Sequence, residues 1–460
     1  MSTNIINKLS FTMLLLISSA MAALGQENVL DRYIKEAFEH NQGLQQRNFQ
    51  LEKSLLALKE AKALFYPQVG VAGSYTKAGG GRTIDIPVGD MLNSVYSTLN
   101  TLTNSQKFPQ LPNQSVLLNP DNYYDLHVRT SLPLINTEIW YAQKIRKEAI
   151  TLQQATVNVY KRSLVKDIKT AYYQYYQAVK AVEIYNTALA QVQENIRVNK
   201  SFLDNGVRNN TSLTRAQAEQ QKIETSITEA QNKQQNAQAY FNFLLNQPFM
   251  TPITLDSTVF TPALAGISEA KGSLEAGSSI SSREELLQLD QQKKIADLQY
   301  KLSSSYLIPK LSTFLDLGSQ AYNWNVDNKS RYYMWGVNLQ WDLFAGGQRK
   351  YKAKQAASDI QVIQASYNET NNALQLEVNT AQNNYHTAAA SFTNAQTQLQ
   401  FSEKYYNDQL KVYKAGQLLY IELLDAQNQL TSARLQLSVA FAQVQTALAE
   451  IERTQATYKL

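Results

Sequence analysis

From Leu164 to Leu203 the chain places apolar or small residues at alternating steps of four and three, and the same register returns 210 residues later. The first seam passes through Leu164, Ile168, Ala171, Tyr175, Leu189, Val192, Asn199 and Leu203; the second passes through Leu374, Val378, Ala381, Tyr385, Leu399, Ser402, Gln409 and Tyr413. After Gly206 and Gly416 a return segment repeats the pattern, with Leu213, Ala216, Ile223 and Ile227 answered by Leu423, Ala426, Ala433 and Leu437. An apolar step of about 3.5 residues held this long specifies two antiparallel coiled coils, each turning at a glycine that accepts a left-handed backbone. Continuous helices over 137–203 and 347–413 would each reach on the order of 100 Å at 1.5 Å per residue. No globular core needs such length. The faces away from the seams are dense in Gln, Asn, Lys and Thr, which predicts a hollow cylinder of helices with water inside.

The first 25 residues address the compartment. Lys8 precedes an apolar run of 14 residues from Phe11 to Leu24, and Ala23 and Gly25 supply the small residues of a cleavage site. The run is too short for a membrane anchor, which needs about 20 apolar residues, so residues 1–25 read as a secretory signal peptide. The chain has no cysteine, which leaves neither a disulfide nor a lipidated cysteine. A net charge of +5 scattered along helices is too weak and too dispersed for nucleic acid.

Before each pair of long helices the period changes to two. Tyr124, Leu126, Val128, Thr130 and Leu132 alternate with Tyr123, Asp125, His127, Arg129 and Ser131; Tyr333, Trp335, Val337, Leu339 and Trp341 alternate with Tyr332, Met334, Gly336, Asn338 and Gln340. These are strands with one apolar and one wet face. Their partners begin after Pro67 and Pro309, since proline stops a helix and tolerates a strand start. Each repeat therefore reads helix, strand, strand, long helix, return helix. The boundaries are 26–246 for the first repeat and 282–460 for the second, with a Pro-, Gly- and Ser-rich linker at 247–281. The first repeat carries an insertion around 78–120 that includes Gly79, Gly80 and Gly81. No P-loop lysine and serine pair follows the triplet, so the segment is expected to be a flexible surface loop.

Four strands of this length can cross a bilayer but cannot close, and an open edge in lipid leaves backbone groups unsatisfied. The chain must therefore oligomerise: two copies give eight strands whose interior fills with side chains, and three give twelve and leave a lumen, as a conducting channel needs. Tyr66, Tyr306 and Trp341 stand at the helix-side ends of the strands, while Trp324 and Tyr333 stand toward the loop side, as two aromatic belts would. The fold class is thus mainly α with a β part, in which a long helical barrel joins four membrane strands per chain.

Tyr413-Lys414-Ala415-Gly416, continuing through Ile421-Glu422-Leu423-Leu424-Asp425-Ala426, resembles the TolC-like outer membrane factors. Ile34, Ala37, Phe38, Asn41 and Leu44 resemble that family's opening helix, with Gln42 where a proline is usual, and Arg283-Glu284-Glu285-Leu286 resembles its counterpart in the second repeat. The resemblance implies a homotrimer in the outer membrane of a Gram-negative bacterium, with a long periplasmic extension. It implies an exit duct for a tripartite efflux pump, in contact with a periplasmic adaptor (membrane fusion) protein and through it an inner-membrane transporter. The same resemblance admits a type I protein secretion duct; a secreted coiled-coil spacer or adhesin is a reading of another class.

Glu422 and Asp425 share one helix face and match the family's acidic constriction, where three copies would set six carboxylates around an iris-like entrance. Tyr413 matches a tyrosine near the family's lock. The 210-residue shift sets Ser212 opposite Glu422 and Arg215 opposite Asp425, so Arg215 or Arg208 is expected to pair with the acids of a neighbouring hairpin. The tips Gly206-Val207 and Gly416-Gln417-Leu418 are the expected adaptor contacts. No cofactor or metal is expected, because His40, His127 and His386 fall in separate elements and none has ligand spacing. With no nucleophile elbow or dinucleotide loop, no enzyme is expected.

Overall fold

The computed structural model describes residues 29–256 and 280–460. The signal peptide and most of the 247–281 linker lie outside the described residues. The described chain divides into two compact units, one comprising residues up to Ser54, Ala149–Lys294 and Gln361–Leu460, the other Leu55–Glu148 and Ile295–Ile360. The elements in order are α1 (Val29–His40), α2 (Gln42–Ala63), β1 (Gln68–Thr76), β2 (Thr83–Ile86), α3 (Val88–Thr103), β3 (Gln114–Leu117), β4 (Tyr123–Ile135), α4 (Thr137–Asp204) and α5 (Asn210–Leu245). The second repeat follows with α6 (Glu284–Ser304), β5 (Lys310–Tyr322), β6 (Arg331–Gln340), α7 (Gln348–Lys414) and α8 (Tyr420–Thr454). Both long helices form as the seams predict, at 68 and 67 residues. Among the described residues no helix is long and apolar enough to cross a membrane.

In the helical unit the seams are where burial falls. Leu374, Val378, Ala381, Tyr385, Ala388, Phe392, Ala395, Tyr406 and Tyr413 are all buried. In α4 burial covers the seam positions Leu164, Ile168, Ala171 and Tyr175 together with Val165, Tyr172 and Tyr173, then resumes at Ala188, Val192, Asn195 and Asn199. Val192 and Asn199 stay on the seam, while Ala188 and Asn195 are buried more deeply than their seam neighbours Leu189 and Ile196. The core joins α1 to the long helices through Ile34, Ile168, Tyr172, Phe241, Tyr385 and Phe441. Between α1 and α2, Asn41 donates to the Leu244 carbonyl at 2.8 Å and accepts from the Leu44 amide at 2.9 Å. The chain can pass Tyr160 there because Gly43 has no Cβ, which would lie 1.9 Å from the phenol oxygen.

The main sheet of the sheet unit is antiparallel with the order β1-β4-β5-β6, leaving β1 and β6 as its edges. Its register places Val71 beside Val128, Val128 beside Leu317 and Leu317 beside Tyr333, so the apolar halves of four separate alternations fall on one face. Val71, Leu317, Tyr333 and Trp335 on that face are exposed in the single chain. Strand β4 runs beyond Leu132 to Ile135, and its register shifts at Pro133, where the missing N–H breaks the ladder.

The 78–120 segment differs from the flexible loop expected of it. It contains the 16-residue helix α3 and the paired strands β2 and β3. Asparagine side chains tie it together, Asn119 by donating to the Gly80 carbonyl at 3.1 Å. Asn93 exchanges hydrogen bonds with the Leu111 backbone at 2.9 and 2.7 Å, Asn100 does so with Phe108 at 2.7 and 3.0 Å, and Asn113 accepts from the Gly89 amide at 3.0 Å. Side-chain amides thus replace the backbone pairing that a loop lacks.

Candidate functional site

The two hairpin tips lie within the helical unit and are built alike. Gly206 and Gly416 have φ of +67° and +78°, which an L side chain adopts only at a cost. At the first tip the Gly206 amide donates to Leu203 at 3.0 Å and the Val207 amide to Phe202 at 2.8 Å. At the second, Gly416 donates to Tyr413 at 2.9 Å and Gln417 to Val412 at 3.2 Å. This is the paired hydrogen bonding of a glycine helix stop, repeated at the 210-residue shift.

The return helices are capped by different chemistry. Asn209 accepts the Thr211 amide at 3.2 Å and caps α5 directly. The equivalent Leu419 has no side-chain acceptor, and Glu422 reaches back to accept the Leu419 amide at 3.0 Å. Glu422 is therefore half of a capping box, and the exchange of Ser212 for Glu422 compensates the exchange of Asn209 for Leu419. Asp425 accepts from Gln429 at 2.7 Å. Both acids are exposed on one face of α8, as their spacing predicts.

Arg208 joins the tips. Its Nη2 donates to the carbonyl oxygens of Leu418 and, at 3.3 Å, Gly416. Its guanidinium lies 4.9 Å from the centroid of Tyr413 and 5.5 Å from that of Phe202. A cation at the carbonyl end of α7 is favoured by the helix dipole, and the aromatic faces add cation–π attraction. Within the chain neither Arg208 nor Arg215 forms an ion pair with Glu422 or Asp425 among the described residues. Arg215 is exposed.

Behind the tips runs a buried polar ladder. The Tyr413 hydroxyl donates to Asn199 at 2.5 Å, Asn199 to the Asn195 carbonyl at 2.8 Å, Asn195 to Gln427 at 2.8 Å, and Gln427 to the Ala188 carbonyl at 3.3 Å. Burial pushes the Tyr413 phenol above its ordinary range, against the opposing pull of the Arg208 charge and the Asn199 hydrogen bond. Nothing in the sequence marks Asn195 and Gln427, whose polar side chains sit inside an apolar period and look like solvated positions. Gln217, the equivalent of Gln427, is indeed exposed.

In the sheet unit the wet face carries its own network. Arg129 donates to both carboxylate oxygens of Asp316, at 2.7 and 2.6 Å, and lies 5.1 Å from the Phe314 centroid. Asp125 accepts from Tyr332 at 2.9 Å and lies 3.0 Å from His127. The belt residues Tyr66, Tyr306, Trp341, Trp324 and Tyr333 are all exposed. By strand order the first three fall at one end of the sheet. Trp324 lies in the β5–β6 turn and stacks on Tyr124 at 5.1 Å and Tyr75 at 5.4 Å.

The sequence matches the outer membrane efflux protein family over residues 33–247 and again over 277–455, most of the chain. The chain belongs to that family. The family's unit therefore occurs twice in the chain, and the internal echo is its duplication. Among solved structures the chain is similar to the outer membrane protein VceC from Vibrio cholerae, with a TM-score of 0.69 and 16% identity over 93% of this chain and 95% of that one. It is similar also to the CmeC outer membrane channel of Campylobacter jejuni, with a TM-score of 0.71 and 14% identity over 93% and 85% of the two chains. The open state of the MtrE outer membrane channel of Neisseria gonorrhoeae gives a TM-score of 0.70 and 14% identity over 93% and 88%. No curated protein matches the sequence. At these identities the structural likeness concerns the fold, a helical barrel with a small sheet part; family membership assigns the protein to outer membrane efflux channels rather than to enzymes.

Proposed function

We propose that three copies of this chain close their sheets into a twelve-stranded barrel and form the exit duct of a tripartite efflux pump. The observation that carries this reading is the sheet itself. It has four strands, two free edges, one exposed apolar face and one charged face. In hydrocarbon the edges of β1 and β6 must find partners, because no water is present to satisfy their backbone groups. Three copies supply those partners and leave a lumen lined by the Arg129–Asp316 face. Heat-modifiable trimers in the outer-membrane fraction, with ion conductance in a planar bilayer, are the expected result; a soluble periplasmic monomer would refute it.

The periplasmic entrance is assigned to the hairpin tips, with Glu422 and Asp425 from each copy forming its acidic ring and Tyr413, Arg208 and Arg215 standing around it. A ring of carboxylates in a narrow opening concentrates cations. Because Glu422 also caps α8, the informative change is Glu422→Gln with Asp425→Asn, which keeps a capping-box side chain and removes the charge. The cation-over-anion permeability ratio of the trimer is expected to fall by roughly severalfold. An unchanged ratio and conductance would remove these residues from the entrance.

The tips Gly206-Val207 and Gly416-Gln417-Leu418 are assigned to a periplasmic adaptor, which in turn engages the inner-membrane transporter. Val207 and Gln417 are exposed, so their side chains are free to meet a partner. Gln417→Cys is expected to cross-link to a co-expressed adaptor carrying a thiol-reactive probe at its own tip. No adduct with any adaptor of the host would count against docking here.

A further inference from the structure

The end of α6 and the start of α7, both in the sheet unit, line two grooves of opposite character. One, of 620 Å³, includes Lys310 and Gln340, which pair in register and belong to the wet alternation of the sheet. Its charges balance: Lys310 lies 2.9 Å from Glu138 and Arg349 is bonded to Asp342, and Lys352 and Asp359 add one charge of each sign to the lining. The second, of 430 Å³, lies around the other side of α7 and is lined by Lys350, Ala353, Lys354 and Ala357 facing Tyr300 and Leu307. No acidic residue lines it. Lys350 and Lys354 are exposed and stand one helical turn apart. Among the described residues neither forms an ion pair.

The position of this second groove decides its chemistry. Leu307 and Ile308 are exposed just before Pro309 and lead to Leu311, where the apolar face of β5 begins. Two alanines leave open space between larger neighbours, and two uncompensated ammonium groups stand beside it. The first repeat places a cation at the same level. Lys144 is the 210-residue equivalent of Lys354, and its Nζ lies 3.4 Å from the ring centroid of the exposed Trp140. A cation over an indole beside a bilayer-facing strand is an interfacial pairing.

We propose that this groove binds an anionic phospholipid from the inner leaflet of the outer membrane. The headgroup phosphate lies between Lys350 and Lys354, and an acyl chain runs over Ala353, Ala357 and Leu307 onto the apolar sheet face. Lysine serves here as a point charge for phosphate, with membrane-surface attraction adding to the contact. The inference rests on the reading of the sheet as a barrel wall and deepens it by naming the lipid class that holds the wall's lower rim.

The test uses the purified full-chain trimer in detergent, with phosphatidylglycerol and phosphatidylcholine of identical acyl chains as probes and lipid retention read by native mass spectrometry. Phosphatidylglycerol is expected to be retained in preference. Lys350→Gln with Lys354→Gln is expected to weaken that retention by about tenfold, while Lys352→Gln, which faces the first groove, leaves it unchanged. Equal retention of the two lipids by the unaltered trimer, or undiminished phosphatidylglycerol on the double variant, overturns the site. So does loss of the trimer in the double variant without lipid discrimination in the unaltered protein, because a second copy of the chain would then fill the groove. Bilayer conductance of the same preparations separates the two readings: conducting trimers without lipid preference refute the site and leave the barrel standing.

Discussion

Replacing Arg283 by methionine is expected to destabilise the helical unit by about 3–5 kcal/mol, the range for removing one partner of a buried charge cluster. Arg283 is 2% exposed. It donates to both carboxylate oxygens of Glu285, at 2.9 and 2.6 Å, and to the Thr454 carbonyl at 2.6 Å, and it lies 3.5 Å from Glu377. One side chain thus ties the start of α6 to the end of α8. Methionine keeps much of the volume and leaves Glu285 without its strongest partner. Arg453, held by Glu450 and Glu377, remains to compensate the latter. Heat resistance of the folded protein against unfolding in detergent measures the loss. A second substitution, Glu285→Leu, is expected to restore part of it, because an apolar pair avoids the desolvation that an orphaned carboxylate cannot.

The cluster also makes a pH prediction. Burial alone would raise the Glu285 carboxyl, but the hydrogen bonds and charge of Arg283 outweigh it and hold the group below its ordinary 4.5. Glu450 is lowered in the same way by Arg453 against its burial. In this situation the unfolded chain binds more protons than the folded one between the two pKa values. The stabilisation is complete above about pH 4.5 and is lost as pH falls through the lowered values. Arg283→Met is expected to flatten that acid dependence as well as lower the plateau.

Under the proposed entrance assignment, Arg208→Ala is expected to release the two hairpin tips from each other and favour the open entrance. The guanidinium fastens the first hairpin to the carbonyl end of α7 through Gly416 and Leu418, and hydrogen bonds to a charged group contribute about 1.5–3 kcal/mol each. A bond of that strength made in the closed state alone would shift a closed-to-open ratio by roughly 10- to 150-fold, and one made equally in both states would shift nothing. Single-channel recording of the trimer should show a larger mean conductance or longer open periods, with trimer yield unchanged. Arg208→Lys should fall between, since an ammonium keeps the charge but loses the planar contact with Tyr413 and Phe202. Wild-type conductance in Arg208→Ala would show that the tip contact is idle in gating.

The helices and strands were legible because their signals are local and periodic. The four-three seam identifies the buried stripe of α7 almost residue by residue, and the two-residue alternation sorts the apolar from the wet side of each strand before any pairing is known. The prolines at 67 and 309 announce the strand starts by removing a donor. The 78–120 segment is illegible in the sequence for the same physical reason in reverse: Asn93, Asn100 and Asn113 secure it by side-chain bonds to backbone up to 24 residues away, and composition carries no sign of such partners.

At the tips the division is sharper still. The sequence alone determined that there are two hairpins, that each turns at a glycine, and that Glu422 and Asp425 share a face, because these follow from spacing along one helix. Only the tertiary structure decided that Asn195, Asn199, Tyr413 and Gln427 form one buried ladder, that Glu422 caps its own helix, and that Arg208 reaches backbone carbonyls of the other hairpin of its own chain. Those choices depend on which helices pack together and at what offset. A polar side chain takes the nearest partner left unsatisfied by that packing, and distance along the chain does not record it.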